Sequence, residues 1–154
     1  MATWPERRRS AWRTSTRCLP IRASRGSSVW KGATGPPYEI ETKGKILFLE
    51  DTGEAPYRVD RMLTQLKLAG KLQEAAGIVW GTCTECTPAK SSVEINLSLS
   101  DLLDEILGDL NKPVLAGLVF GHTKEKATIP IGVEAELDAG AKRVEILEAA
   151  TVAS

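Results

Sequence analysis

One histidine, His122, and one carboxylate, Glu50, stand where paired acid–base chemistry could be done. Each closes an apolar stretch with strand length, Lys45–Leu49 before Glu50 and Val114–Phe120 before Gly121-His122. In an open α/β sheet, ligands gather beyond the carboxyl ends of the parallel strands. If these two strands are parallel, both residues project at that edge. A carboxylate beside an imidazole fixes its tautomer and orientation, which is the acid–base half of a catalytic triad. The remaining half is a hydroxyl or thiol for the histidine to activate. Gly26-Ser27-Ser28 follows arginines instead of a buried strand, so it is no nucleophile elbow. Taken alone, these residues have other uses as well. A histidine after a strand also serves as a surface or hydrogen-bonded residue, and Glu50-Asp51 as turn acids leading into a helix.

The spacing Cys83-Thr-Glu-Cys86 is half of a zinc site. A structural zinc needs four ligands, and neither a second cysteine pair nor a nearby histidine accompanies it. The expectation is a loop with two idle thiols, no metal, and no redox motif outside a thioredoxin-like context. Gly117, Gly121 and Gly132 are not a dinucleotide fingerprint, because no glycine-rich turn joins a strand directly to a helix. No cofactor is expected.

The elements that must position Glu50 and His122 are legible from residue 38 onward. After the first strand and its turn, Glu50-Asp-Thr-Gly53, Pro56 opens a helix over about residues 56–69. Val59, Met62, Leu63 and Leu66 recur on its inner face, and Gly70 suits its end. Met62 and Leu63 have a second reading, as a surface facing another domain. Gly77–Trp80 is a second strand, residues 82–96 read as loop, and Ser98 or Ser100 caps a second helix with Asp101 in its first turn. Its apolar face is Leu99, Leu102, Leu103 and Ile106. Pro113 precedes the third strand, and Ile129–Leu137 with Arg143–Leu147 read as a hairpin around Asp138-Ala-Gly140. The fold class is therefore α/β: a mainly parallel sheet flanked by two helices, with a C-terminal β-hairpin.

Length and charge bound the rest. With 154 residues, one domain is expected, and no apolar run nears the ~20 residues that cross a bilayer. Net charge is zero, but residues 1–31 carry eight Arg or Lys against Glu6 alone, leaving twelve bases and nineteen acids beyond. Trp4, Trp12 and Trp30 lie among those arginines without strand or helical period. Residues 1–34 therefore read as a basic disordered segment, and 38–150 as the domain. A basic head can bind nucleic acid or an anionic surface, but a segment without a partner is preferred. With three cysteines and no secretory core at the N-terminus, the expected compartment is the cytoplasm.

Three blocks carry a resemblance. They are Gly44-Lys-Ile-Leu-Phe-Leu-Glu-Asp-Thr-Gly-Glu-Ala-Pro-Tyr-Arg-Val-Asp-Arg-Met-Leu63, Ala76-Gly-Ile-Val-Trp-Gly81, and Pro113-Val-Leu-Ala-Gly-Leu-Val-Phe-Gly-His-Thr123. Ile129-Pro-Ile-Gly132 and Leu137-Asp138 follow in order. Over residues 38–138 the chain resembles the C-terminal domain of the LD-carboxypeptidase family, which includes muramoyltetrapeptide carboxypeptidases and microcin-immunity peptidases. The resemblance implies a serine-type hydrolase of peptidoglycan recycling, with a Ser-Glu-His triad and no metal. By motif position Glu50 is the triad acid and His122 its base, with Glu54 the alternative acid. The implied substrate is a murein tetrapeptide losing its terminal D-alanine. The serine-bearing N-terminal domain is missing from the matched blocks, so the chain is expected to be truncated and inactive alone, with a homodimer possible. The Arg/Ser/Trp-rich head looks like translation in a wrong frame joined to the genuine one near Gly35. The coding DNA, shifted by one base, is then expected to read as family sequence.

Overall fold

A strand that is apolar at every position needs cover on both faces, and Ile46-Leu-Phe-Leu49 receives it. The computed structural model describes residues 13–22, 39–87 and 98–151. Along the chain these form β1 (Arg13–Arg22), β2 (Ile46–Glu50), α1 (Pro56–Leu68), α2 (Lys71–Glu74), β3 (Gly77–Gly81), α3 (Leu99–Leu107), a 3-10 turn (Gly108–Leu110), β4 (Val114–Leu118), β5 (Glu134–Asp138) and β6 (Arg143–Ile146). All the strands join one sheet in the order β4-β3-β2-β1-β5-β6. From β4 to β1 the neighbours run parallel, while β5 is antiparallel to both β1 and β6.

Alternation along the parallel strands sorts their side chains between two cores. Leu47, Leu49, Ile78 and Trp80 face α1 and α3, whose Val59, Met62, Leu63, Leu66, Leu102, Leu103 and Ile106 close the first core. Ile46, Phe48 and Val79 face the opposite way, against Leu115, Phe120, Val133, Ala135 and Leu137. Met62 and Leu63 are thus interior, 6% and 0% exposed, and the alternative of a surface facing another domain is overturned. They sit in mid-helix at the spacing that faces the sheet, so burial there removes apolar surface from water.

Local chemistry explains where the helices start and stop. Pro56 opens α1, where its missing N–H would have no intrahelical acceptor anyway. Gly70, at φ +75°, takes the left-handed turn that ends α1. Ser98 caps α3 by accepting from the Asp101 N–H at 3.1 Å, which satisfies one of the otherwise orphaned donors. Among the described residues no helix is long and apolar enough to cross a membrane.

The structure departs from the sequence reading at β1. Arg13–Arg22 runs as a strand between β2 and β5, whereas residues 1–34 were expected to have no regular structure. Arginines and Pro20 hide any strand pattern, but partners on both sides supply the ladder, and pairing overrides local preference. The other residues of that segment, including Gly26-Ser27-Ser28, lie outside those described. Ile129–Val133 also differs: β5 begins only at Glu134.

Candidate active site

Glu50 is the last residue of β2, and its side chain is completely buried. His122 follows β4, with its side chain 35% exposed. Between β2 and β4 lies β3, so the two side chains must meet across a strand that belongs to neither. They do meet. The His122 Nδ1 lies 2.9 Å from Glu50 Oε1 and 3.2 Å from Oε2, and the His122 backbone N–H donates to Oε1 at 3.1 Å. A carboxylate accepts and does not donate, so Nδ1 carries the hydrogen and the neutral ring keeps its lone pair on Nε2.

Two glycines make the crossing possible. A Cβ on Gly81, the last residue of β3, would come 3.3 Å from Glu50 Cβ and 3.0 Å from the Phe120 ring. At Gly121, φ is +93° and a Cβ would run into the Glu50 carboxylate itself. The Glu50 side chain occupies the space those Cβ atoms would fill, its Cβ beside Gly81 and its carboxylate beside Gly121. Phe120 holds the segment down from the other core, edge-on to Phe48 with centroids 5.7 Å apart.

The turn of chain into His122 begins earlier, in β4. The β3–β4 register shifts after Trp80, so that Gly81 pairs with Leu118. Gly117, at φ +87°, is the residue beside that irregularity. A bulge bends its strand and re-aims the side chains beyond it. Beyond the bulge, the Thr82 N–H and Oγ1 donate to the Leu118 carbonyl at 3.1 and 3.4 Å. The expected strand Val114–Phe120 therefore ends two residues early, and the freed segment brings His122 to Glu50.

The neighbouring acids have different roles. Asp51 is 1% exposed, with Oδ1 accepting from the Thr52 N–H at 2.7 Å and Oδ2 lacking a partner. Burial, with Glu54 and Glu50 nearby, pushes its carboxyl up to about 6. Glu54, the alternative triad acid, is directed elsewhere: its Oε2 pairs with Arg58 Nη1 at 3.4 Å. Sequence reasoning missed Gly81, Gly117 and Gly121 as site-building positions. A signal was available at two of them, since Gly81 closes β3 and Gly121 directly precedes His122, whereas Gly117 lies inside β4.

Cys83 and Cys86 correct another expectation. They are not idle thiols but a disulfide, with Cα atoms 5.6 Å apart, inside the range a bridge accepts. While joined they cannot serve as thiolate ligands to zinc. No group of three or more His, Cys, Asp or Glu among the described residues is arranged to hold a metal.

Comparison with known proteins follows the same outline. Residues 27–137 match the model of the LD-carboxypeptidase C-terminal domain. Over 122 residues the chain is 40% identical to the Bacillus subtilis (strain 168) protein named probable murein peptide carboxypeptidase, covering 79% of this chain and 37% of that one. With the murein tetrapeptide carboxypeptidase of Pseudomonas aeruginosa it shares 34% identity over 95 residues, 62% of this chain and 30% of the other. The crystal structure of muramoyltetrapeptide carboxypeptidase from Oxalobacter formigenes superposes with a TM-score of 0.74 at 31% identity, over 89% of this chain and 45% of that chain. The chain thus spans less than half the length of each of these relatives.

Proposed function

Since the chain belongs to the LD-carboxypeptidase family through that family's C-terminal domain, we propose that it is the acid–base half of a serine-type carboxypeptidase acting on murein peptides. The observation that carries this reading is the pairing of His122 Nδ1 with the buried Glu50 carboxylate at 2.9 Å. The substrate is a murein tetrapeptide, and the bond cut is the L-to-D linkage that releases terminal D-alanine. A serine on a separate N-terminal domain supplies the nucleophile, and the reaction belongs to cytoplasmic peptidoglycan recycling. Residues 38–150 make up the working domain.

The chemistry follows from the tautomer. His122 Nε2 takes the serine proton as the oxygen attacks the carbonyl carbon, and the ring becomes an imidazolium held by Glu50. Collapse of the tetrahedral intermediate breaks the C–N bond, with His122 returning the proton to the departing amine. Water then attacks the acyl–serine ester, losing a proton to His122, and His122 passes that proton to the departing serine oxygen as the C–O bond breaks. The Glu50 carboxylate stays ionised throughout: it orients the ring and stabilises the cation, and never takes the proton.

Assays of D-alanine release from a muramyl tetrapeptide, with and without an added serine-bearing N-terminal domain, test the reading. Alone, the chain is expected to show no turnover above background, since losing the nucleophile of a triad removes roughly 10⁶ of the rate. The added domain is expected to restore turnover, and His122→Ala to abolish it. Turnover that survives His122→Ala would overturn the assignment.

A further inference from the structure

The segment Thr82–Cys86 is bonded to both halves of the site, through Thr82 just before the Cys83–Cys86 loop on one side and Thr84 inside it on the other. On one side, Thr82 is tied to the Leu118 carbonyl at the end of β4 by its N–H and its hydroxyl. On the other, the Thr84 carbonyl accepts from the Gly53 N–H at 2.8 Å and from the Thr52 hydroxyl at 3.2 Å. Thr52 and Thr84 also form a parallel β-bridge. Residues 82–84 therefore link the turn just after Glu50 to the strand just before His122. The disulfide closes a four-residue loop around Thr84 and Glu85, which adopts φ +59°. A non-glycine residue at positive φ is held there by its surroundings. Both sulfur-bearing residues are only partly buried, so a small thiol can reach the bridge.

We propose that Cys83–Cys86 is a reversible thiol–disulfide exchange site, with a dithiol as its reductant, and that its oxidised form clamps the ends of β2 and β4 so that Glu50 and His122 stay aligned. One thiolate of the dithiol attacks a bridge sulfur, forming a mixed disulfide and expelling the other cysteine as a thiolate. The second thiol of the reductant then displaces the first cysteine. The reductant leaves as a cyclic disulfide, and the protein gains two electrons and two protons as two thiols. Reduced, the loop no longer fixes the Thr84 carbonyl, and the bonds to Thr52 and Gly53 open more often.

This inference rests on the Glu50–His122 pair as the working site, so its test uses no turnover. The native protein is treated with dithiothreitol without denaturant. Alkylation at Cys83 and Cys86 is mapped by mass, and amide exchange at Gly53 and His122 is followed together with the imidazole signals of His122. Because the chain has one histidine, those signals are unambiguous. Both cysteines are expected to become alkylated on reduction and protected again after oxidation. Exchange at Gly53 and His122 is expected to accelerate by about tenfold or more, as for bonds moved to a lower-stability opening. The double variant Cys83→Ser/Cys86→Ser is expected to match the reduced protein in every buffer. If that variant fails to fold, the wild-type comparison alone decides. Cysteines that stay unreactive under native reduction would overturn the proposal, as would full alkylation with unchanged exchange and His122 signals. A chain that passes this test and yet gives no D-alanine with the serine-bearing domain would refute the function and leave the exchange site standing.

Discussion

Replacing Gly121 by alanine separates the cost of building the site from the cost of its backbone. Gly121 and Gly117 have nearly the same backbone, φ +93° and +87°, but different surroundings. A Cβ at Gly117 meets nothing within 4 Å, whereas one at Gly121 meets the Glu50 carboxylate. Gly117→Ala therefore measures the left-handed strain alone, about 1–2 kcal/mol. Gly121→Ala carries the same strain plus overpacking, about 1–3 kcal/mol. Where the carboxylate moves to escape, it also loses its bonds to His122, and a buried acceptor left unsatisfied costs about 1–3 kcal/mol more. The two variants should then differ by about 2–6 kcal/mol in urea unfolding, a large share of the ~5–15 kcal/mol total of an ordinary domain. The His122 imidazole signals should shift in Gly121→Ala and stay in place in Gly117→Ala. Equal unfolding midpoints and unchanged His122 signals in both would refute the claim that Glu50 packs against the Gly121 backbone.

Asp51 makes stability depend on pH. Its folded-state value, raised by burial to about 6 from 3.8, means that the folded chain holds its proton where the unfolded chain has lost it. Stability should therefore fall as pH rises through about 4 to 6, by at most about 3 kcal/mol, and level off above. Asp51→Asn should flatten that slope in urea titrations at several pH values; an identical slope would contradict it. Leu63→Ala, at a 0% exposed position, should cost about 2–5 kcal/mol in the same assay, and a loss under 1 would place that side chain outside the core. Ser98→Ala should cost about 1 kcal/mol by removing the cap of α3, and Ser98→Asp should retain most of it.

The strands and helices that bear apolar periodicity were readable because burial writes itself into spacing. Val59, Met62, Leu63 and Leu66 can face only one way on a helix, and Ile46–Leu49 can only be interior. Glu50 stands at the end of its strand, as its spacing implied, whereas His122 lies four residues beyond the end of β4. What stayed illegible depends on pairing between distant segments. β1 gains its ladder from β2 and β5 and has no pattern of its own. The early end of β4 comes from a register shift against β3 that local sequence does not encode. The disulfide, too, needs the loop's path: two cysteines three apart read the same joined or free until the backbone sets their Cα atoms 5.6 Å apart.

The tautomer of the single histidine is the most direct test of the pairing on which the function depends. Long-range nitrogen–proton correlation spectra at neutral pH should show the hydrogen on Nδ1, with through-bond or through-space contact to the Glu50 carboxyl and loss of that contact in Glu50→Ala. A neutral ring protonated on Nε2, with signals indifferent to Glu50→Ala, would contradict the account.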